Sequence, residues 1–325
     1  MDEFLVGLAV SLGFLFGWNN GALLLGPLRG SGTASLRTAL VTSTLGLVAG
    51  ALLEGWKLYT GMTGTLAPST TDLVLLVTLA TSVAFTLVLT LMGLPVSFSM
   101  VMVAAFLGSS VSASIPVDTT RAAGVVLFWL GAPVITAALA FVAYTCTSRL
   151  VGGLGILVVD AFNRFGSIVS ALLVSYTLGA NNVGLILGGT GATPAASQSL
   201  GVVAAIILAA VAGIAVSTRS RVSGTMGDRM LSLSPQGVFT VFAASAAVVW
   251  VGTQFAIPLS ISQCLLGGIF GAAYTKNIAV LNRQLATETV MVWFIAPVLA
   301  FLAGAVLVFA LGGPPPGLSH RLNLF

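Results

Sequence analysis

Residues 16–26 read FGWNNGALLLG, and residues 178–188 read LGANNVGLILG. Each sets two adjacent asparagines among glycines inside a stretch otherwise apolar enough to cross a membrane. Amides are costly in hydrocarbon unless they find partners, so two such pairs at matching positions call for a common explanation. Other landmarks repeat at nearly the same distance. Asn19 and Asn181 are 162 residues apart, and Pro95 of GLPVSFS and Pro258 of FAIPLSIS are 163 apart. Trp129 and Pro133 of WLGAP precede Trp293 and Pro297 of WFIAP by 164. Landmarks in one order at one offset define two related halves, an N-terminal repeat over 1–150 and a C-terminal repeat over 155–325.

Composition identifies the solvent. Of 325 residues, 57% are hydrophobic and 6% charged, and mean hydropathy is +1.10. A water-soluble domain carries roughly 25% charged residues, so the chain reads as an all-α integral membrane protein. Apolar segments fall near 4–25, 38–58, 73–93, 95–115, 122–147, 166–188, 199–217, 236–255, 257–275 and 286–311. The segments at 95 and 257 follow their predecessors almost without a linker, so each either crosses or re-enters as a hairpin. Nine of the twelve Lys and Arg residues lie on the odd-numbered connections. The positive-inside rule then places both termini outside in a multi-pass cell-membrane protein. The basic residues set topology and imply no nucleic-acid partner. Asp2 and Glu3 stand where a secretory signal would be basic, so the first segment is expected to stay in the mature chain. Cys146 and Cys264 are expected to be buried free thiols.

Five segments per half is an odd number, which inserts the halves in opposite directions. Inverted repeats with interrupted helices or re-entrant hairpins are the pattern of secondary transporters, with substrate held between the halves. The polar exceptions fall at two places per half. In Gly17-Trp18-Asn19-Asn20 and Gly179-Ala180-Asn181-Asn182, glycine lets the backbone leave helical geometry, while the amides serve an ion, a substrate or a neighbouring helix. In Pro95-Val96-Ser97-Phe98-Ser99 and Pro258-Leu259-Ser260-Ile261-Ser262, proline and serine read as a helix start within the apolar layer. Such a start offers unpaired N–H groups and hydroxyls to an anion. No acid–base or nucleophilic constellation competes: the single histidine is His320, in the polar tail, and no carboxylate pair stands inside a segment. That argues against an enzyme and against a metal site. Clustered rather than continuous polar groups argue against an anion channel.

These elements, in this order and over nearly the whole chain, resemble the inorganic phosphate transporter family of secondary carriers. That family has a duplicated GANDVAN signature, a duplicated PVSTTH signature and a Trp-to-Pro helix after each. TMGDRMLSLSP at 225–235 resembles the linker before its second proline-serine element. The resemblance implies ion-driven phosphate uptake through a site shared by two inverted halves, with no cofactor beyond the coupling ion, Na⁺ or H⁺, and it allows a homodimer in the lipid bilayer. Carried over, Ser97, Ser99, Ser260, Ser262, Asn20 and Asn182 contact substrate, and Asn19, Asn181 and Gln263 contact substrate or coupling ion. The chain also departs from the pattern. The signature aspartate is Asn20 and Asn182, its second asparagine is Leu23 and Leu185, and STTH has become Ser97-Phe98-Ser99-Met100 and Ser260-Ile261-Ser262-Gln263. Sulfate permease relatives are similarly degraded. A site without carboxylates suits acceptor-only sulfate at least as well as phosphate, which keeps proton-coupled sulfate transport as an alternative.

Overall fold

A computed structural model describes residues 3–61, 66–67, 69–190, 197–218, 233–275 and 283–312. The linker-like stretch at 225–232, the prolines at 314–316 and His320 lie outside the described residues. The regular elements among the described residues are helices: α1 (Glu3–Gly30), α2 (Leu36–Gly61), α3 (Asp72–Leu91), α4 (Phe98–Ser112), α5 (Thr119–Val151), α6 (Ile156–Leu178), a π-turn (Gly179–Val183), α7 (Gly184–Gly188), α8 (Ser197–Ser217), α9 (Pro235–Gln254), α10 (Ile261–Tyr274) and α11 (Arg283–Gly312). Polar side chains lie inward, among them Thr78, Ser82, Thr136, Ser170 and Thr240, whereas Leu127, Val134, Leu157 and Val298 point outward. With lipid as the solvent, apolar surface has no reason to hide, and hydroxyls turn in and bond to the preceding turn of their own helix, as Thr78 does to Val74 and Thr136 to Ala132.

Eight helices among the described residues are long and apolar enough to span a membrane; α4 and α10, at 15 and 14 residues, are not. A 15-residue helix is about 22 Å long against a hydrocarbon core of about 30 Å. As helices, the segments at 95 and 257 are therefore too short to span, and they fold against their predecessors as the second arms of hairpins α3–α4 and α9–α10. Outside the hairpins each half has three helices of spanning length, α1, α2 and α5 in one and α6–α7, α8 and α11 in the other, an odd number that fits opposite insertion of the halves.

The halves interlock. α1 packs on α8 and α2 on α6, while α4 packs on α11 and α5 on α10. A Cβ on Gly17 would lie 2.0 Å from the carbonyl oxygen of Ala210, and one on Gly179 2.0 Å from that of Leu47. Close backbone approach of this kind is how membrane helices gain packing energy without a hydrophobic effect between them. It also revises the reading of the glycines beside the asparagines. α1 runs as unbroken helix through Asn19 and Asn20, and only the second copy loosens, into the π-turn that contains Asn181 and Asn182. Cys264 is buried as expected, but Cys146 sits on the outward face of α5, and both are free.

Candidate functional site

Helices α3 and α9 end in the same turn. Leu94 N–H donates to Leu89 O at 3.0 Å and Ile257 N–H to Gly252 O at 2.9 Å, the six-to-one bond of a Schellman cap. The left-handed residue this cap needs is Gly93 in the first hairpin (φ +78°) and Ala256 in the second (φ +56°). An extended segment follows, and α4 then starts after Ser97 and α10 after Ser260.

One asparagine of each pair staples this turn. Asn19 Nδ2 donates to Thr90 Oγ1 at 2.9 Å and to Leu94 O at 3.1 Å, and its Oδ1 accepts from Val96 N–H at 3.0 Å. Asn181 repeats the set on Thr253 Oγ1 at 3.0 Å, Ile257 O at 3.1 Å and Leu259 N–H at 3.1 Å. Thr90 and Thr253 give their own hydroxyl protons to Thr86 O and Val249 O, so each must accept from the asparagine, which fixes the amide orientation. Both amide hydrogens are used, and one Oδ1 lone pair is left for any further ligand. The second asparagines stay close to their own helices: Asn20 Nδ2 donates to Phe16 O at 3.2 Å and Asn182 Nδ2 to Leu178 O at 3.4 Å.

The two serine elements meet between the halves, where Ser262 Oγ donates to Val96 O at 3.3 Å. Around that contact Ser97, Ser99, Ser260, Ser262 and Gln263 are all at least 95% buried. Their hydrogen bonding differs between the hairpins. Ser260 Oγ caps α10 by accepting from Gln263 N–H at 3.3 Å and pairs with Ser262 Oγ at 3.0 Å. Ser97 stands at the matching cap of α4 and makes no side-chain cap bond. The Oγ atoms of Ser97 and Ser99 and the Oε1 of Gln263 are buried without a protein partner. Buried polar atoms are nearly always satisfied, so free hydroxyls at a helix start, with first-turn N–H groups and the positive end of the dipole beside them, form a donor nest. Among the described residues no Asp or Glu is buried, so the nest holds no opposing carboxylate.

All nine sequence-predicted residues fall on these two turns or on the helix segments around the asparagine pairs. Residues the motifs did not mark also shape the site. Thr90 and Thr253 complete the staples, and their spacing of 163 was available as a signal in the repeat. Trp129 Nε1 donates to Pro258 O at 2.7 Å and holds the second turn. Gln254, the last residue of α9, bonds both Lys57 and Glu54 of α2. Glu54 and Lys57, three residues apart, also pair with each other at 3.3 Å, and nothing local announces the third member.

Comparison with known proteins agrees with this fold. The sequence pattern of the phosphate transporter family matches residues 16–159 and again 157–304. A Methanocaldococcus jannaschii protein named as a phosphate permease is 24% identical over 294 residues, covering 90% of this chain and 92% of its own. A Mycobacterium tuberculosis protein named as a low-affinity inorganic phosphate transporter is 29% identical over 164 residues, covering 47% of this chain and 39% of that protein. A solved structure described as the sodium-dependent phosphate transporter shares the fold with a TM-score of 0.83 at 16% identity, covering 95% of this chain and 98% of that one. With its duplicated turns and both halves matching one pattern, the chain belongs to the phosphate transporter family.

Proposed function

We propose that the chain is a secondary active transporter of inorganic phosphate, working by ion-coupled symport and alternating access, with the anion held between the starts of α4 and α10. The observation that carries this reading is the uncapped, buried start of α4, where Ser97 and Ser99 have hydroxyls without a protein partner. A tetrahedral oxyanion supplies the acceptors those donors lack, and the helix dipole favours its charge. Ser260, Ser262 and Gln263 face it from α10. Asn20 and Asn182 approach it from the helices behind, while Asn19 and Asn181 hold the turns and offer one Oδ1 lone pair each to substrate or coupling ion. The names of the relatives support phosphate as the substrate. Both termini lie outside, and repeats over 1–150 and 155–325 form one transport unit.

A second reading, proton-coupled sulfate transport, has its own observation: no described carboxylate is buried. Phosphate at neutral pH brings P–OH donors that need an acceptor, whereas sulfate only accepts. Uptake of radiolabelled phosphate and of sulfate into proteoliposomes, each under an imposed Na⁺ or proton gradient, tests both. Accumulation of phosphate against its gradient supports the first reading, and sulfate accumulation with little phosphate supports the second. Accumulation of neither would remove the transporter assignment.

A further inference from the structure

Three matched positions differ between the hairpins, all in the same sense. At the last residue of the entering helix, Gln254 of α9 donates to Glu54 Oε2 at 3.0 Å and accepts from Lys57, which also pairs with Glu54 at 3.3 Å. The repeat puts Leu91 at the corresponding place on α3, where it is exposed. The counterpart of Glu54 on α8 is Ser217, whose hydroxyl bonds its own helix at Ile214 O. This difference is written in the sequence, so it persists in every conformation. At the turn, Trp129 clasps Pro258 O, whereas Trp293, its counterpart, keeps a buried indole N–H with no protein partner. At the start of the returning helix, Ser260 is occupied in capping α10 while Ser97 leaves α4 bare.

We propose that the two hairpins do different work. The α9–α10 hairpin is a fixed wall, with Glu54, Lys57 and Trp129 as its positioning residues, and the α3–α4 hairpin carries the anion and moves. The assignment rests on the oxyanion reading above. The physical reason is that a hairpin can change position at low cost only if few bonds must break. The second turn is tied to α2 and α5 by side chains from the opposite half. The first is tied by its Asn19 staple to α1 of its own half, and it meets the opposite half through the packing of α4 on α11 and the Ser262 bond to Val96 O, with neither of those two side-chain ties. The unpartnered hydroxyls lie on the hairpin with fewer polar ties, so substrate binding and motion are coupled in one element.

Two measurements test the division of labour. In a Cys146→Ser background, Glu54→Cys with Gln254→Cys places thiols on α2 and α9, and a short, reducible thiol cross-linker then ties the second hairpin down. Anion uptake after cross-linking is expected to stay within about two-fold of the uncross-linked protein. Uptake that disappears on cross-linking and returns on reduction would overturn the proposal. In the unmodified protein, amide hydrogen exchange with and without phosphate or sulfate reads the hairpins directly. Protection is expected to rise at least ten-fold in 92–101 with little change in 255–264, and equal protection, or protection of the second alone, overturns it. If the unmodified protein accumulates neither anion, the transport reading itself fails, an outcome separate from either of these.

Discussion

Gly93 and Ala256 occupy the same corner of the two hairpins, both left-handed, at φ +78° and +56°. An L side chain in this region costs about 1–2 kcal/mol, which glycine avoids. Ala256→Gly should therefore raise the thermal stability of the detergent-solubilised protein, by up to about 1 kcal/mol after the entropy that glycine adds to the unfolded chain. Gly93→Ala should lower it by a similar amount. A loss of stability in Ala256→Gly would mean that the methyl group makes contacts worth more than the backbone strain.

Asn19→Asp tests the staple. The substitution keeps shape but puts an oxygen where Nδ2 now faces Thr90 Oγ1 and Leu94 O. Two donated bonds become acceptor–acceptor contacts, with an expected cost of about 2 kcal/mol or more. Asn181→Asp should behave alike, since Thr253 and Ile257 stand in the same places. Unfolding midpoints of the two variants should fall together, ahead of any effect on affinity.

Ser97→Ala removes a hydroxyl with no protein partner. Stability should hardly change, while a charge-assisted bond to the anion, about 1.5–3 kcal/mol, is lost. The half-saturation constant for uptake should then rise roughly 10- to 100-fold. Ser260→Ala frees the cap of α10 as well, so it should weaken uptake less and lower the unfolding midpoint more. Unchanged anion binding in both variants would place the site elsewhere.

Asn20→Asp with Asn182→Asp returns carboxylates to the two buried positions. An ionised carboxylate accepts from P–OH and repels an anion that has no proton to give. The ratio of phosphate to sulfate uptake should rise in the double variant, measured side by side in the same proteoliposomes. A ratio that does not move would place these side chains away from the bound anion.

The two halves, the membrane setting and the paired proline-serine starts were legible because each is a local pattern written twice. Fold followed from hydropathy and the repeat offset. The short second arms of the hairpins were visible as an alternative, and only the helix lengths in the structure show them to be too short to span. The roles within the asparagine pairs were not legible. Asn19 and Asn181 spend their amides on residues more than 70 positions away, and no local rule separates them from Asn20 and Asn182. The Gln254 clamp on Glu54 joins residues 200 apart and lacks a repeat partner, so symmetry, the strongest signal in the sequence, works against finding it.

The glycine contacts of Gly17 with Ala210 and Gly179 with Leu47 join the first helix of one half to the second helix of the other. During synthesis α1 and α2 therefore enter the bilayer with their closest-packing faces bare, and those faces wait for α6 and α8 to arrive. Either half alone would need a second copy threaded through the membrane the opposite way to cover them, and carrying both in one polypeptide fixes their ratio at one to one.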